Sequence, residues 1–589
     1  MQRSKIFLLF FFFLLFFSFL FPITVETFMV PMYDGVELAT DVYLPFNWGS
    51  YPVILLRTPY GKDKESSFGY LAAANGYAVV IQDVRGRYES QGENHPFEYA
   101  YLDGHATVEW IYAQGWCNGK IGTAGMSALG INEYLMAPNL PDYVKCQYAI
   151  VATSNLYKYG ATENGVMRHS LVYDWTDSVD AEDWRNDALL HPDYDDYWKK
   201  FAIDDDVEDI NLPAFHIGGW YDIFSQGTIN AFKQYQENGG DGAKGKQKLI
   251  MGPWTHGGKY VVKQGELTYP TNSLLSNVEH PFQWFKYYLK DVGSVDNIPT
   301  VQYYVMGACG EDDAPGNEWR ETDSWPVPAY DAKLYLTTDN KLLWHTEDDN
   351  DSLTFTSDPR NPTPTIGGAN LEIANGPMDQ RSLDSRTDLL QFETDPFPVP
   401  IEITGELQFS CYLSITTLDA DICVRVCDVY PDGREMLILD GALDLRFRNG
   451  VDHEELLTPG DIYHVTFSLW STSIIINRGH KLKIFVSGNN YPRFEVNPQD
   501  GSTLYSGNST PMDSDITIYM GPDYPSSLLI PVPYGSTYFP ADLNGDEKVD
   551  YKDLGILLSN FDKDYPPYDL NVDGEINDKD LQYLVGNFK

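Results

Sequence analysis

Three side chains that could together carry out acyl transfer are spread over the first half of the chain. Ser127 stands two residues after a glycine in the run Lys120-Ile-Gly-Thr-Ala-Gly-Met-Ser-Ala-Leu-Gly130. Asp222 ends the run Gly218-Gly-Trp-Tyr-Asp222, and His256 ends the run Gly252-Pro-Trp-Thr-His256. A hydroxyl, a carboxylate and an imidazole can serve as nucleophile, orienting acid and general base. Together they predict a serine hydrolase.

The elements around these residues predict a sheet that brings them to one edge. Strand-like apolar runs occur at 52–57, 77–82, 120–124, 145–152, 214–217 and 247–251, and helix-like stretches include 103–113 and 128–136. This alternation predicts a parallel sheet covered on both faces, whose ligands lie beyond the carboxyl ends of the strands. Ser127, Asp222 and His256 each follow such an end, in the order serine, acid, histidine that α/β-hydrolases use.

The residues next to Ser127 predict a nucleophile elbow, which is a sharp turn between a strand and a helix. The serine of an elbow is strained, and its neighbours are small so that the backbones can pass closely. Gly125 meets this requirement, but Leu129 stands where the common pattern has its second glycine, and Gly130 follows. By itself the motif is equally compatible with a structural serine in a tight turn.

The 589 residues are too many for one core, and their patterns divide them into several parts. Residues 28–154 and 210–320 form the predicted α/β domain. Residues 155–209, which are rich in Trp, Tyr and acidic side chains, form a predicted helical cap inserted over the sheet. Alternating segments at 321–536 predict an all-β sandwich, and residues 538–589 form a separate tail.

The first 27 residues predict export. Arg3 and Lys5 precede an almost unbroken Phe and Leu run from Ile6 to Phe21, which is the pattern of a signal peptide. The run is also nearly long enough for an uncleaved N-terminal anchor. The predicted location is therefore secreted or cell-surface associated.

Charge and cysteine content narrow the range of partners. The formal net charge of −44 argues against nucleic acid as a partner. The six cysteines lack paired zinc spacings, and their spacing leaves open whether any of them form disulfides: Cys117, Cys146, Cys309, Cys411, Cys423 and Cys427. We therefore expect catalysis without a cofactor.

The tail repeats a spacing of oxygen side chains that suits calcium. A calcium loop supplies oxygens from positions 1, 3, 5, 7, 9 and 12, with a backbone carbonyl at position 7. The first loop offers Asp542, Asn544, Asp546, Lys548, Asp550 and Asp553, and the second offers Asp569, Asn571, Asp573, Glu575, Asn577 and Asp580. A short apolar helix is predicted after each loop, at 554–561 and 581–588. The tail thus predicts two calcium ions; the alternative is an acidic segment that is merely solvated.

Several motifs together resemble one known family. They are Arg57-Thr-Pro-Tyr60, Asp83-x-Arg-Gly86, Gly125-x-Ser-x-x-Gly130, Gly219-Trp-Tyr-Asp222 and Gly252-Pro-Trp-Thr-His256, with Asp419-Ala-Asp421, Val429-Tyr-Pro-Asp-Gly433 and Ser487-Gly-Asn-Asn-Tyr-Pro-Arg-Phe494 in the sandwich. The chain resembles the X-Pro dipeptidyl-peptidase and cocaine-esterase (CocE/NonD-like) family of serine hydrolases over residues 28 to 535. This resemblance implies an α/β-hydrolase domain, a helical cap and a C-terminal jelly roll.

The resemblance also implies roles for individual residues. Ser127 is the expected nucleophile, His256 the base and Asp222 the orienting acid. Tyr60 and the backbone N–H of Ala128 are the expected donors to the oxyanion. The family usually has tyrosine after the serine, and a backbone donor tolerates the alanine found here. The tail resembles a dockerin, a paired calcium-loop module that binds a cohesin-type protein.

The substrate is predicted only as a small ester or peptide. Some relatives that hydrolyse α-amino acid esters carry acidic residues just after the catalytic aspartate, whereas Ile223 and Phe224 follow it here. Phe224 is either a wall of an acyl pocket or a core residue. These residues favour an esterase or acylase over an X-Pro dipeptidyl-peptidase. A glycan-associated enzyme and a non-catalytic adhesion or scaffold protein are the remaining alternatives.

Overall fold

The computed structural model describes residues 23–312, 314–534, 543, 548–561, 568, 570 and 575–586. The apolar run of the predicted leader lies outside these residues. Six of the predicted calcium ligands also lie outside them: Asp542, Asn544, Asp546, Asp569, Asn571 and Asp573.

The first part of the chain builds a ten-stranded sheet. The strands of this part are β1 (Thr24–Pro31), β2 (Glu37–Leu44), β3 (Tyr51–Thr58), β4 (Ala78–Asp83), β5 (Cys117–Met126), β6 (Val144–Ile150), β7 (Thr162–Glu163), β8 (Val166–Met167), β9 (Ala214–Tyr221), β10 (Lys248–Thr255), β11 (Lys263–Gln264), β12 (Leu267–Thr268), β13 (Val301–Val305) and β14 (Glu318–Thr322). The order across the large sheet is β1-β2-β4-β3-β5-β6-β9-β10-β13-β14. The three strands that lead to Ser127, Asp222 and His256 lie in its centre.

The sheet is mixed, so the prediction of a parallel sheet holds only for its middle. β4, β3, β5, β6, β9, β10 and β13 run parallel to their neighbours within this block. β1 and β2 pair antiparallel because a tight turn around Gly35 returns the chain directly, and β2 is also antiparallel to β4. β14 pairs antiparallel with β13 at the other edge. Only the central crossover connections, which carry helices, require parallel strands.

Helices cover both faces of this sheet. The helices are α1 (Ser66–Ala74), α2 (Ala100–Tyr112), α3 (Ala128–Met136), α4 (His169–Ser178), α5 (Glu182–Ala188), α6 (Asp196–Lys199), α7 (Ser225–Asn238) and α8 (Pro281–Lys290). Along β3, Val53 and Leu55 pack on the face covered by α2 and α3, whereas Ile54 and Leu56 pack on the face covered by α1 and α8. This alternation explains the nearly continuous apolar runs of the central strands.

The segment between β6 and β9 lies over the sheet as a cap, but it is not purely helical. It contains α4, α5 and α6, a π-helical turn at Tyr157–Ala161, and the small antiparallel hairpin of β7 and β8. The hairpin, which the sequence analysis did not predict, turns at Asn164 and Gly165, both with positive φ. Trp184 and Trp198 are buried in the cap and belong to the same apolar cluster as one face of the sheet, so they help to join the cap to that face.

The later part of the chain is a β-sandwich, as predicted. Its strands are β15 (Ala329–Leu336), β16 (Leu342–Leu343), β17 (Asp351–Ser357), β18 (Leu389–Glu393), β19 (Ile401–Ile415), β20 (Asp421–Val429), β21 (Glu435–Asp444), β22 (Tyr463–Ile476), β23 (Lys481–Ser487), β24 (Ser514–Met520) and β25 (Ser527–Pro533). One sheet has the order β16-β15-β25-β19-β24-β17, with β22 also on β19, and the other has the order β18-β23-β20-β21.

The two domains share one continuous interface. Met306, just after β13, exchanges backbone hydrogen bonds with Ser473 and Ile475 of β22. The Tyr221 hydroxyl donates to the carbonyl of Leu437 at 3.1 Å. Trp220 and Tyr221, at the end of β9, and the buried apolar residues of β13 also belong to the same apolar cluster as the sandwich core. The sandwich is therefore packed against the strand that leads to Asp222.

The described part of the tail contains two helices, α9 (Tyr551–Ser559) and α10 (Asp578–Gly586). Both begin three residues earlier than predicted. Asp550 caps α9 through its carboxylate, and Asp553 closes the capping box. Within the described residues, no group of three or more His, Cys, Asp or Glu side chains is arranged to hold a metal ion.

All six cysteines are free thiols. Across 23–312, 314–534 and the described parts of the tail, no helix has the length and apolar content needed to cross a membrane.

A buried histidine in the sandwich predicts a pH-dependent stability. His480 lies between Asp428 and Glu311, at 2.7 Å and 3.0 Å from its two ring nitrogens. Burial opposes the charged imidazole, but the two carboxylates outweigh it and raise the pKa of His480. Burial also raises the pKa of Asp428, yet two carboxylates face one imidazole, so the imidazolium is the form that the cluster holds.

We expect this cluster to stabilise the fold most at mildly acidic pH. The contribution is complete below the unfolded pKa of about 6.5 and is lost as pH rises through the higher folded pKa. The melting temperature of the wild type should therefore fall as pH rises above about 6.5. Scanning calorimetry of His480→Gln should show a flatter dependence, and equal slopes for the two proteins would refute the assignment.

Candidate active site

Ser127 lies at a nucleophile elbow between β5 and α3. Its φ of 59° and ψ of −125° are unusual for a residue with a side chain. A Cβ on Gly125 would lie 2.5 Å from the Leu129 carbonyl carbon, and a Cβ on Gly130 would lie 2.7 Å from Ala152 Cβ. Gly130 is thus the second position of the turn where the backbone passes too close to its neighbours for a side chain. Leu129 points into the core instead, which explains why leucine is tolerated there.

The structure brings Ser127, His256 and Asp222 into one chain of hydrogen bonds. His256 Nε2 lies 2.9 Å from Ser127 Oγ, and His256 Nδ1 lies 2.7 Å from Asp222 Oδ2. Asp222 is fully buried, and its other oxygen accepts the backbone N–H of Phe224 at 2.7 Å. This second bond holds the carboxylate in one orientation, so the imidazole is aligned with the serine.

Tyr60 lies beside this chain of groups, where its hydroxyl could reach an oxyanion. Trp175 Nε1, on α4 of the cap, donates to the Tyr60 oxygen at 2.9 Å. Burial raises the pKa of Tyr60, although hydrogen bonds with Trp175 and Ser127 oppose the rise. Tyr60 therefore keeps its proton at neutral pH. Because the indole occupies an acceptor position of the oxygen, that proton remains available to a substrate.

Ala128 could supply the second oxyanion donor. It is the first residue of α3 and is buried. The first backbone N–H groups of a helix have no acceptor within the helix, and the positive end of the helix dipole lies there. The geometry is compatible with the predicted pairing of Tyr60 and the Ala128 N–H.

An apolar cavity of about 490 Å³, its mouth included, opens beside Ser127. No charged side chain is among the described residues that line it. The lining consists of Phe97, Ser127, Ala128, Ile131, Leu156, Gly160, Ala161, Leu171, Val172, Trp175, Thr176, Trp184, Ile223, Phe224 and Leu371. Phe224 is one of these residues and also packs edge-on against the His256 ring, with centroids 5.7 Å apart. The cavity suits an uncharged acyl group.

Three residues at or around this site were not identified from the sequence. Trp175 and Leu371 line the cavity from the cap and from the sandwich, respectively. Arg168 contacts the loop that follows Asp222. Each of the three contacts the site from a distant part of the chain, so its role has no local pattern in the sequence. Only Trp175 had a sequence signal, which was the high tryptophan content of the cap.

Comparison with known proteins identifies the family. The model of the X-Pro dipeptidyl-peptidase (S15 family) matches residues 34–188 and 174–258. The model of the X-Pro dipeptidyl-peptidase C-terminal non-catalytic domain matches residues 293–529. Cocaine esterase from Rhodococcus sp. (strain MB1 Bresler) is 28% identical over 578 residues, which cover 86% of this chain and 97% of that protein.

Solved structures share the fold at lower identity. An aminopeptidase from a marine sediment Thaumarchaeota archaeon has a TM-score of 0.76 at 23% identity, covering 87% of this chain and 97% of its own. An α-amino acid ester hydrolase has a TM-score of 0.75 at 22% identity, covering 86% and 96%. The family resemblance seen in the sequence motifs is thus confirmed. The chain is a serine hydrolase that belongs to the S15 family.

Proposed function

We propose that the protein is an esterase or acylase that uses Ser127, His256 and Asp222 as a catalytic triad. The observation that carries this proposal is the hydrogen-bonded chain from serine through imidazole to a buried carboxylate, beside an apolar cavity. A non-catalytic adhesion protein would have no use for this arrangement at three strand ends.

The proposed reaction is acyl transfer to the serine. Ser127 Oγ attacks the substrate carbonyl while His256 Nε2 takes its proton, and Asp222 stabilises the imidazolium. Tyr60 and the Ala128 N–H donate to the oxyanion. The imidazolium then protonates the leaving group. Water, deprotonated by the same imidazole, hydrolyses the acyl-enzyme and releases the acid.

The cavity favours esters of apolar acids over X-Pro peptides. A dipeptidyl substrate brings an ammonium group near the scissile bond, and a buried ammonium requires an anionic partner. The described lining of the cavity has no carboxylate to supply it. A glycan-associated esterase would likewise need polar side chains in the cavity to bind a sugar. The two alternatives therefore fit the cavity less well than an apolar ester.

A substrate panel tests this preference. We expect p-nitrophenyl butyrate and p-nitrophenyl benzoate to be hydrolysed with a kcat/KM far above that of Ala-Pro-p-nitroanilide. Efficient anilide cleavage would favour the X-Pro dipeptidyl-peptidase. Release of acetate from acetylated sugars, without turnover of the benzoate, would favour the glycan-associated esterase.

We expect Tyr60→Phe to lower kcat by a factor on the order of 10²–10³, because one oxyanion donor is lost. KM should change little, since the hydroxyl acts mainly on the transition state. Tyr304→Phe is the matched control, because its hydroxyl donates to Asn272 away from the site. A Tyr60→Phe enzyme with wild-type kcat would leave backbone donors as the sole oxyanion contacts.

We further propose that the protein is exported and that its tail binds two calcium ions and a cohesin-type partner. The donor atoms predicted in the tail are all oxygens, as calcium prefers. The described parts of the two loops are also alike: the carboxylate at position 12 accepts the backbone N–H of position 9 in both. The distance is 2.8 Å from Asp550 N to Asp553 and 2.7 Å from Asn577 N to Asp580.

Calorimetric titration with calcium should show binding that Asp542→Ala and Asp569→Ala weaken, and a flat titration would leave only an acidic tail.

A further inference from the structure

Arg168 is a buried guanidinium at the meeting point of the cap, the α/β domain and the sandwich. Only 1% of the residue is exposed, and its group lies over the Trp470 ring at 5.2 Å. Burial lowers its pKa to about 9, which leaves it charged at neutral pH. Among the described residues no carboxylate forms an ion pair with it. Burying a charge without an ion pair costs free energy, which hydrogen bonds offset only in part.

The hydrogen bonds of Arg168 go to backbone carbonyls around the apolar cavity. Nη1 donates to the Ile223 carbonyl at 2.6 Å and reaches the Gly160 carbonyl at 3.4 Å. Nη2 donates to the Ala369 carbonyl at 3.2 Å. Ile223 and Gly160 line the cavity, and Ala369 lies two residues before Leu371, which also lines it. One side chain therefore connects three walls of the cavity that belong to distant parts of the chain.

The same contacts reach the acid of the triad. The peptide group that carries the Ile223 carbonyl also carries the Phe224 N–H, which donates to the Asp222 carboxylate at 2.7 Å. The Asp222 charge is also among the groups that act electrostatically on Arg168. Arg168 can therefore influence the triad both through the backbone and through its charge.

A second arginine completes this arrangement from the sandwich. Arg493 Nη1 donates to the same Ala369 carbonyl at 2.7 Å. Arg493 is itself paired with Glu163 and Asp440, each at 3.3 Å. Burial raises the pKa of Glu163 to about 7, although both arginines oppose the rise. The charges near Arg168 are thus partly compensated by its neighbours, while its two Nη groups donate to carbonyls around the cavity.

We propose that Arg168 is a positioning residue that holds the Asp222 loop, the π-helical turn of the cap and the sandwich loop at Ala369 in the arrangement that the active site requires. This inference rests on the proposed function, since it assigns the supporting contacts of that same site. It also gives the sandwich a role in the site, because the Leu371 wall is held in place by Arg168 and Arg493.

Two substitutions of Arg168 test the inference, because one removes the charge and the donors of the side chain and the other removes only the forked arrangement of donors. Arg168→Met removes both, so we expect kcat/KM for p-nitrophenyl butyrate to fall about 100-fold. The acidic limb of the pH profile should also move to higher pH, because the positive charge that acts on Asp222 is lost and protonation beside that carboxylate becomes easier. Arg168→Lys keeps the charge but not the fork of donors, so the limb should stay in place while kcat falls roughly tenfold.

Arg425→Met is the matched control. Arg425 is equally buried and donates to Ser487 and the Pro364 carbonyl, but it contacts none of the cavity walls. This variant should melt at a lower temperature and keep the wild-type kcat/KM and acidic limb. The rate of fluorophosphonate labelling is measured for every variant, because it reports the positioning of Ser127 even for a protein that hydrolyses none of the esters.

The outcomes separate this inference from the proposed function. A folded Arg168→Met with wild-type kcat/KM, labelling rate and acidic limb would overturn the inference. Should Arg168→Met fail to fold, Arg168→Lys decides: wild-type kcat and labelling rate would overturn it, and reduced rates with an unmoved limb would support it. Failure of the proposed function would instead be seen in the wild type, as ester turnover equal to that of Ser127→Ala.

Discussion

Ser127→Ala is expected to lower kcat by a factor on the order of 10⁶ for any substrate of the enzyme and to abolish labelling by a fluorophosphonate. The hydroxyl that His256 can deprotonate is removed, while the cavity and the oxyanion donors remain. KM should therefore change little. Single-turnover assays with p-nitrophenyl butyrate, together with mass spectrometry of labelled protein, measure both effects.

A second serine–histidine pair supplies the control. Ser410 Oγ and His464 Nε2 on the sandwich surface are also 2.9 Å apart, and among the described residues no carboxylate forms an ion pair with this imidazole. Ser410→Ala should keep full activity and labelling. Residual hydrolysis by purified Ser127→Ala at more than about one thousandth of the wild-type rate would show that another group is the nucleophile.

The second large effect is expected for Asp222→Asn, which should lower kcat by about 10⁴-fold at neutral pH. Asp222 Oδ1 accepts the backbone N–H of Phe224, so the oxygen of the new amide is held on that side. Its NH₂ group then faces His256 Nδ1 and donates to it. The proton of the neutral imidazole is therefore forced onto Nε2. A protonated Nε2 cannot accept the proton of the serine hydroxyl. The loss follows from the tautomer, with the fold retained.

A second aspartate–histidine pair, in the sandwich, supplies the control because its hydrogen bond has the same length. Asp428 and His480 are 2.7 Å apart, as are Asp222 and His256. Asp428→Asn should lower the melting temperature and leave kcat/KM unchanged. Were Asp222→Asn to retain kcat within about tenfold of the wild type, the carboxylate would not control the tautomer, and the proposed mechanism would need another acid.

Local sequence patterns were enough to predict the central strands of the sheet and the three residues of the candidate site. Runs of apolar residues a few positions long are enough to predict the central strands, because a strand buried on both faces needs apolar residues at every position. The chain order of Ser127, Asp222 and His256, each after a strand, predicted the α/β-hydrolase order. The change to Trp, Tyr and acidic residues at 155–209 predicted the cap, and the alternating segments at 321–536 predicted the sandwich. These signals are local, so a sequence read in short windows contains them.

The edges of the sheet and the walls of the cavity were decided only by the tertiary structure. A hairpin at one edge and β14 at the other made the sheet mixed, since short returns allow antiparallel pairing that strand patterns alone do not specify. Trp175 meets Tyr60 across 115 residues, and Arg168 meets Ala369 across 201. Such contacts leave no periodic trace in the sequence, because each depends on the packing of separate domains. The residue types for the proposed acyl transfer were thus evident from the sequence, whereas the cavity proposed to receive the acyl group arises only where cap, sheet and sandwich meet.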